Sequence, residues 1–269
     1  RNYPPERPIL PGDVKAQAEQ DAQELRDWLG LGAAPVLDII SLLELQLGVR
    51  VYLRRLDGKI SGLFAYDEVV GACILLNANH SLERLAQSGS HELGHFISSR
   101  HQPEVLTVGE KFTSREERYA NVFGRCFLAP ARIVRQRFAE ITAGQSHLTR
   151  RHVILLASTL GLSREGLVRR LEELGLVKAG TWDWFIQHGG ITDHQAREVL
   201  GELPSRAAVT AQARGLVPPR LALLAGEAWR RGLYSEGQLA RLLVLSRLEL
   251  REILDSVQTE ESDANALSH

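Results

Sequence analysis

The chain has 269 residues, 44% of them hydrophobic and 24% charged, with a formal net charge of −1. That mix supports a buried core and excludes a disordered chain. It also excludes a basic field over the whole chain for nucleic acid, although a local basic patch stays open.

Cys73 and Cys126 are the only cysteines. They are too few for a disulfide framework and point to a reducing, cytoplasmic setting. No apolar run approaches the ~18–20 residues of a membrane span, and no signal peptide opens the chain. The chain starts at Arg1 and contains no methionine, which suggests a truncation or a domain boundary at its start.

Residues 1–13 hold four prolines and read as an extended linker. A helix is expected from Val14 to Leu29, ended by Gly30 and Gly32. Apolar positions from Asp38 to Leu47 recur at helical spacing, with Gly48 as a C-cap. Val49–Leu53, Ile60–Tyr66 and Ala72–Asn77 then predict a small three-stranded sheet with tight turns.

A long helix from Ser81 to Ser99 follows, then a loop over 101–114. Further helices are expected over Arg115–Phe127 and Arg132–Phe138. From Leu148 the pattern is helix, turn, helix, with Ser163 capping Arg164–Leu174. The rest is helical at Thr192–Leu200, Leu221–Arg231 and Ser235–Val257, and residues 259–269 read as a disordered tail.

Leu160-Gly161-Leu162-Ser163-Arg164-Glu165 is echoed by Leu243-Val244-Leu245-Ser246-Arg247-Leu248. Both fit helix–turn–helix units, but two copies do not make a solenoid. The domain plan is thus a core over 14–145, a helix–turn–helix-like segment over 146–178 and a helical C-terminal region over 179–258.

The long helix carries His91-Glu92-Leu93-Gly94-His95. Residues four apart share a helix face, so both imidazoles can bind one zinc ion while Glu92 takes a proton from water. For a third ligand the residues alone leave alternatives. His101 has the spacing of a three-histidine pattern, but Ser98 stands where that pattern needs glycine, and its Met-turn has no methionine here. A carboxylate from the next helix is the other source, with Glu110, Glu116 and Glu117 available.

Several residues have weaker claims. Arg84 either orients the motif helix or is simply solvated. His147 and Tyr66 are candidates for stabilising an oxyanion, though a structural role is favoured for both. His152, His188 and His194 read as surface residues, and Cys126 as a small buried hydrophobe. Trp182, Trp184 and Phe185 are expected to anchor later helices rather than form a partner patch. Arg150, Arg151, Arg164, Arg169 and Arg170 form a basic stripe that suits either phosphates or solvent, with solvent favoured.

Arg84, the His-Glu-Leu-Gly-His helix and Glu117-Arg118-Tyr119-Ala120-Asn121-Val122-Phe123 leading to Leu128-Ala129-Pro130 together resemble the ImmA/IrrE metallopeptidases. The likeness covers roughly Val36 to Leu176. Gly124 stands where alanine is usual, and Gln87-Ser88 where Phe-Thr is common. The resemblance implies an α+β, helix-rich, zincin-like core, with Zn2+ held by His91, His95 and Glu117 and with Glu92 as the catalytic base and acid. It further implies a protein substrate, an XRE-type repressor cleaved in a stress or mobile-element response. Some members carry an XRE-type DNA-binding domain ahead of the core. The alternative is therefore a transcription regulator whose peptidase fold serves as a sensor or dimerisation module, with DNA bound upstream of this chain.

Overall fold

A computed structural model of the chain describes residues 3–101, 114–143, 147–201 and 217–266, with the backbone alone over 258–266. It is α+β and helix-rich, as expected. Its contacts divide into two compact units, Arg1–Ala211 and Gln212–His269.

The first unit opens with α1 (Val14–Trp28). Asp13 caps it by accepting from the Lys15 and Ala16 amides. The segment ahead of α1 is not a free linker. The Arg7 amide donates to Ile97 O at 2.7 Å, Arg100 donates to Pro4 O, and the Tyr3 hydroxyl accepts from the Ala72 amide.

A short helix α2 (Ile39–Ser41) runs into a π-helical turn, Leu42–Gln46. The sheet follows as β1 (Arg50–Arg54), β2 (Gly62–Asp67) and β3 (Gly71–Asn77). β3 lies in the middle, parallel to β1 and antiparallel to β2. Only β2 and β3 are joined by a tight turn, because the parallel β1–β3 pair requires a longer crossover.

Buried Asn77 ties down that crossover. Its amide group donates to Leu56 O, Asp57 O and Ile60 O, and its carbonyl accepts from the Leu56 and Asn79 amides. The approach to β2 is held in large part by this side chain.

Helices α3 (Leu82–Ser98) and α4 (Arg115–Leu128) form the centre of the unit, and both pack on their neighbours through strongly one-sided apolar faces. Phe96, Leu93, Tyr119, Phe123 and Phe127 are fully buried there. α1 lies against α4, where its Arg26 is also fully buried. Arg26 donates to the carbonyls of Phe127, Gly32 and Ala34, which compensates its guanidinium for leaving water.

The unit continues with α5 (Ala131–Thr142), α6 (Arg150–Leu160), α7 (Arg164–Glu173), α8 (Thr181–Gln187) and α9 (Asp193–Leu200). Gly161 in the left-handed region turns α6 into α7. Phe185 and Trp182 pack into the core of this unit, whereas Trp184 is exposed and stacks on His188.

The second unit contains α10 (Pro219–Arg230), α11 (Glu236–Leu243) and α12 (Arg247–Ala266) around its own core of Ala225, Leu239, Ala240, Leu243, Leu250 and Leu254. The continuous helix expected over Ser235–Val257 is broken. Val244 adopts φ 58°, and Ser246 begins the next helix by accepting from the Glu249 amide. Periodicity alone runs through this break because the leucines on both sides keep helical spacing. Backbone helix reaches Ala266, beyond Thr259, where a disordered tail was expected. Among the described residues, no helix is long and apolar enough to cross a membrane.

Candidate metal centre

Ser81 starts α3 by accepting from the Arg84 amide, and the helix then runs unbroken through the motif. His91 and His95 therefore lie one turn apart with their rings edge to face and their Nε2 atoms 3.1 Å from each other. Ser114 starts α4 by accepting from the Glu117 amide at 3.1 Å. This cap sets the rotation of the first turn so that Glu117 is buried, while Glu116 stays partly exposed.

Two glycines let the helices meet closely. A Cβ on Gly94 would lie 2.9 Å from the Ala120 backbone, and one on Gly124 would lie 3.0 Å from the His91 amide nitrogen. The close crossing brings the Glu117 carboxylate onto the histidine pair, with Oε2 3.4 Å from His91 Nε2 and Oε1 3.2 Å from His95 Nε2. Among the described residues this is the one His/Cys/Asp/Glu cluster with metal-binding geometry.

The three side chains fit a zinc ion. Ligand atoms at about 2.0–2.1 Å in a tetrahedron stand roughly 3.3 Å apart, close to the observed spacings. Glu117 Oε1 is also buried without a hydrogen-bond partner despite its nearness to His95. A buried carboxylate oxygen in that state is costly unless something binds it.

The electrostatics of the bare cluster point the same way. Burial works to raise the Glu117 pKa, but contact with His91 and His95 outweighs it and brings the value down to about 2. Burial works to lower the His91 pKa, yet Glu117, Glu92 and the Asn121 side chain raise it overall. Burial raises the Glu92 pKa, which the neighbouring histidines only partly offset. A carboxyl group shifted upward toward neutrality is suited to proton transfer.

The structure thus gathers His91, Glu92, His95 and Glu117 in one place and leaves other candidates elsewhere. His101 packs its ring against Tyr66 and has Nε2 3.8 Å from Glu6. Tyr66 also meets Tyr3 edge-on. His147 is exposed, His152 caps α6 together with Thr149, and His194 pairs with Glu198. Glu110 lies outside the described residues.

The basic stripe is largely engaged within its own unit. Arg164 bonds Asp193, Arg169 bonds Asp183, Arg170 bonds Glu19, and Arg150 bonds the His188 and Gly190 carbonyls. Those contacts favour packing over phosphate binding.

Three residues at the site received no role from sequence reasoning. Asn121 is four residues after Glu117 and donates to its carbonyl at 2.8 Å, which its helical spacing could have suggested. Asp21 accepts from the Tyr119 hydroxyl at 2.8 Å and so fastens α4 to α1. Gly62 sits against Glu92. Nothing local in the sequence announces the last two contacts.

No curated protein matches the chain. Residues 45–172 match the family model described as the IrrE N-terminal-like domain, a peptidase family. That span contains the sheet, the motif helix, α4 with Glu117, and the α6–α7 corner up to Glu172. The chain carries, over residues 45–172, a peptidase domain of the ImmA/IrrE family.

Proposed function

We propose that the chain is a zinc-dependent endopeptidase acting on a protein, with His91, His95 and Glu117 as metal ligands and Glu92 as general base and acid. The observation that carries this reading is the buried meeting of three ligand atoms from two helices, 3.1 to 3.4 Å apart. Zinc held there supplies a Lewis acid that brings the pKa of water down to about 7.

The protein's own residues do the rest. Glu117 and the two histidines fix the centre from one side, and the Asn121 side chain beside His91 steadies that ring. Glu92, raised in pKa by burial, accepts the proton of the attacking water and returns it to the leaving amine nitrogen.

The proposed substrate is an XRE-type repressor whose cleavage releases a stress or mobile-element response, and the proposed compartment is the cytoplasm. The family membership of residues 45–172 supports the peptidase part of this reading, and a chain with only two cysteines suits a reducing compartment.

The test begins with metal content by mass spectrometry for the wild type, Glu117→Ala, Glu116→Ala and His101→Ala. Near one zinc per chain, lost only with Glu117→Ala, is the expected result. A purified XRE-type repressor should then be cut by the wild type and left intact by Glu92→Gln. A wild type that binds no zinc when supplied with it would overturn the peptidase reading in favour of a regulator or scaffold.

A further inference from the structure

Gly62 opens β2, the edge strand that lies beside α3. A Cβ at this position would stand 2.8 Å from Glu92 Oε1, 3.1 Å from its Cγ and 3.3 Å from its Cδ. No real Cβ tolerates the first of these distances. The Glu92 carboxylate therefore lies directly over the bare backbone of Gly62 and occupies the space a side chain would fill.

Both sides of this contact are held. Ser61 and Gly62 follow a crossover pinned by four side-chain hydrogen bonds of Asn77. Arg84, two turns before His91 on α3, reaches back to Ser61 Oγ at 3.3 Å and ties strand to helix. Glu92 is itself only 7% exposed, so its carboxylate has little room to retreat.

Gly62 does not have positive φ and is not a turn residue, since it lies in regular strand paired with Leu76. Backbone conformation does not explain a glycine here, and glycine in a strand weakens it. The contact with Glu92 does explain it.

We propose that Gly62 is a positioning residue, whose missing side chain forms the seat that holds the Glu92 carboxylate at the metal centre. The role rests on Glu92 being the general base. It makes β2 a working wall of the site as well as part of the sheet. Any residue larger than glycine at 62 shares space with the base and turns it away from its working position.

The test uses the full chain with Gly62→Ala, Glu92→Asp and the double variant. Crystal structures with zinc supplied are the first readout. A methyl at 62 requires movement of roughly 0.6 Å, because ordinary contact with a Cβ begins at 3.4 Å and Glu92 Oε1 would stand at 2.8 Å.

The expected result is that Glu92 Oε1 swings away while β2 and the three ligand side chains stay in place. In the double variant the shorter aspartate side chain should leave the strand and the new methyl undisturbed. If β2 shifts outward and Glu92 keeps its place, the seat is not at Gly62 and the proposal is overturned.

The second readout is hydrolysis of fluorescently labelled casein. Gly62→Ala should lower kcat on the order of 10- to 100-fold with KM and zinc content unchanged. It should lower it much less in the Glu92→Asp background, since the two changes act on one contact. Equal losses in both backgrounds would also overturn the proposal. A wild type with no zinc and no activity would instead defeat the peptidase reading, while the crystallographic comparison would still decide the seat.

Discussion

The α6–α7 corner of the first unit and the α11–α12 corner of the second share one backbone design. In each, a residue in the left-handed region ends the first helix, Gly161 at φ 67° and Val244 at φ 58°. In each, the following leucine amide reaches back five residues to an alanine carbonyl, Leu162 to Ala157 and Leu245 to Ala240. A serine then caps the second helix, and Leu167 and Leu250 are both fully buried behind it.

The surroundings separate them. Ser163 also donates to Gln87 on the motif helix, and Arg170 donates to Ala129 O and to Glu19. The first corner is thus bonded into the peptidase unit. The second closes a small three-helix core and leaves Leu242, Val244 and Leu248 exposed. A shared local signal produces the same turn in both places, while its role is set by what the outer faces touch.

The largest effect separating the units should come from zinc. A thousandfold excess over Kd stabilises the unit that binds it by about 4 kcal/mol. Calorimetry should show one transition rising with zinc and the other unmoved; a matching rise in both would break the contrast. Acid should erase the gain. The raised pKa of His91 means that the metal-free protein holds this proton to a higher pH than a free imidazole does. Zinc must displace it, so binding fades as pH falls through a value above about 6.5. Without zinc the sign reverses: the same raised pKa stabilises the fold at low pH, and that contribution is lost as pH rises.

Next in size, Leu250→Ala should cost the second unit about 3 kcal/mol by leaving a cavity in a core of few residues. Urea unfolding should show that unit melting early, with zinc content at the other unchanged. Arg170→Met should cost the first unit roughly 2 kcal/mol. That is less than a fully buried ion pair would lose, because Glu19 is 43% exposed and Glu173 keeps its bond to Arg125.

The smallest effect concerns the corners themselves. Val244→Gly should stabilise the second unit by about 1 kcal/mol, since a β-branched residue is strained in the left-handed region. Gly161→Val should destabilise the first by a similar amount or more. Thermal melts of the pair would show whether the two turns are equivalent. If Val244→Gly were destabilising, the exposed valine would have a packing role that the corner geometry does not account for.

Much of the site could be read from the chain because its signals are local. His91 and His95 share a helix face through spacing alone, and Ser81 and Ser163 mark helix starts by chemistry within three residues. Spacing could not choose among Glu110, Glu116 and Glu117. That choice needed the resemblance to a family, and Glu117 meets the histidines through a helix crossing that two glycines permit. The break at Val244 was hidden inside a helical period, although the echo of the first corner marked it.

The sequence by itself determined most of the helices, the three strands, the turn at the first corner and the paired histidines, because each depends on residues a few positions apart. Tertiary structure alone decided that β3 lies between β1 and β2, that Asp21 holds Tyr119 across 98 residues, and that Gly62 lies under Glu92. Those contacts join segments far apart in the chain. They exist only after packing has set the distance between elements, and no local period or cap encodes that distance.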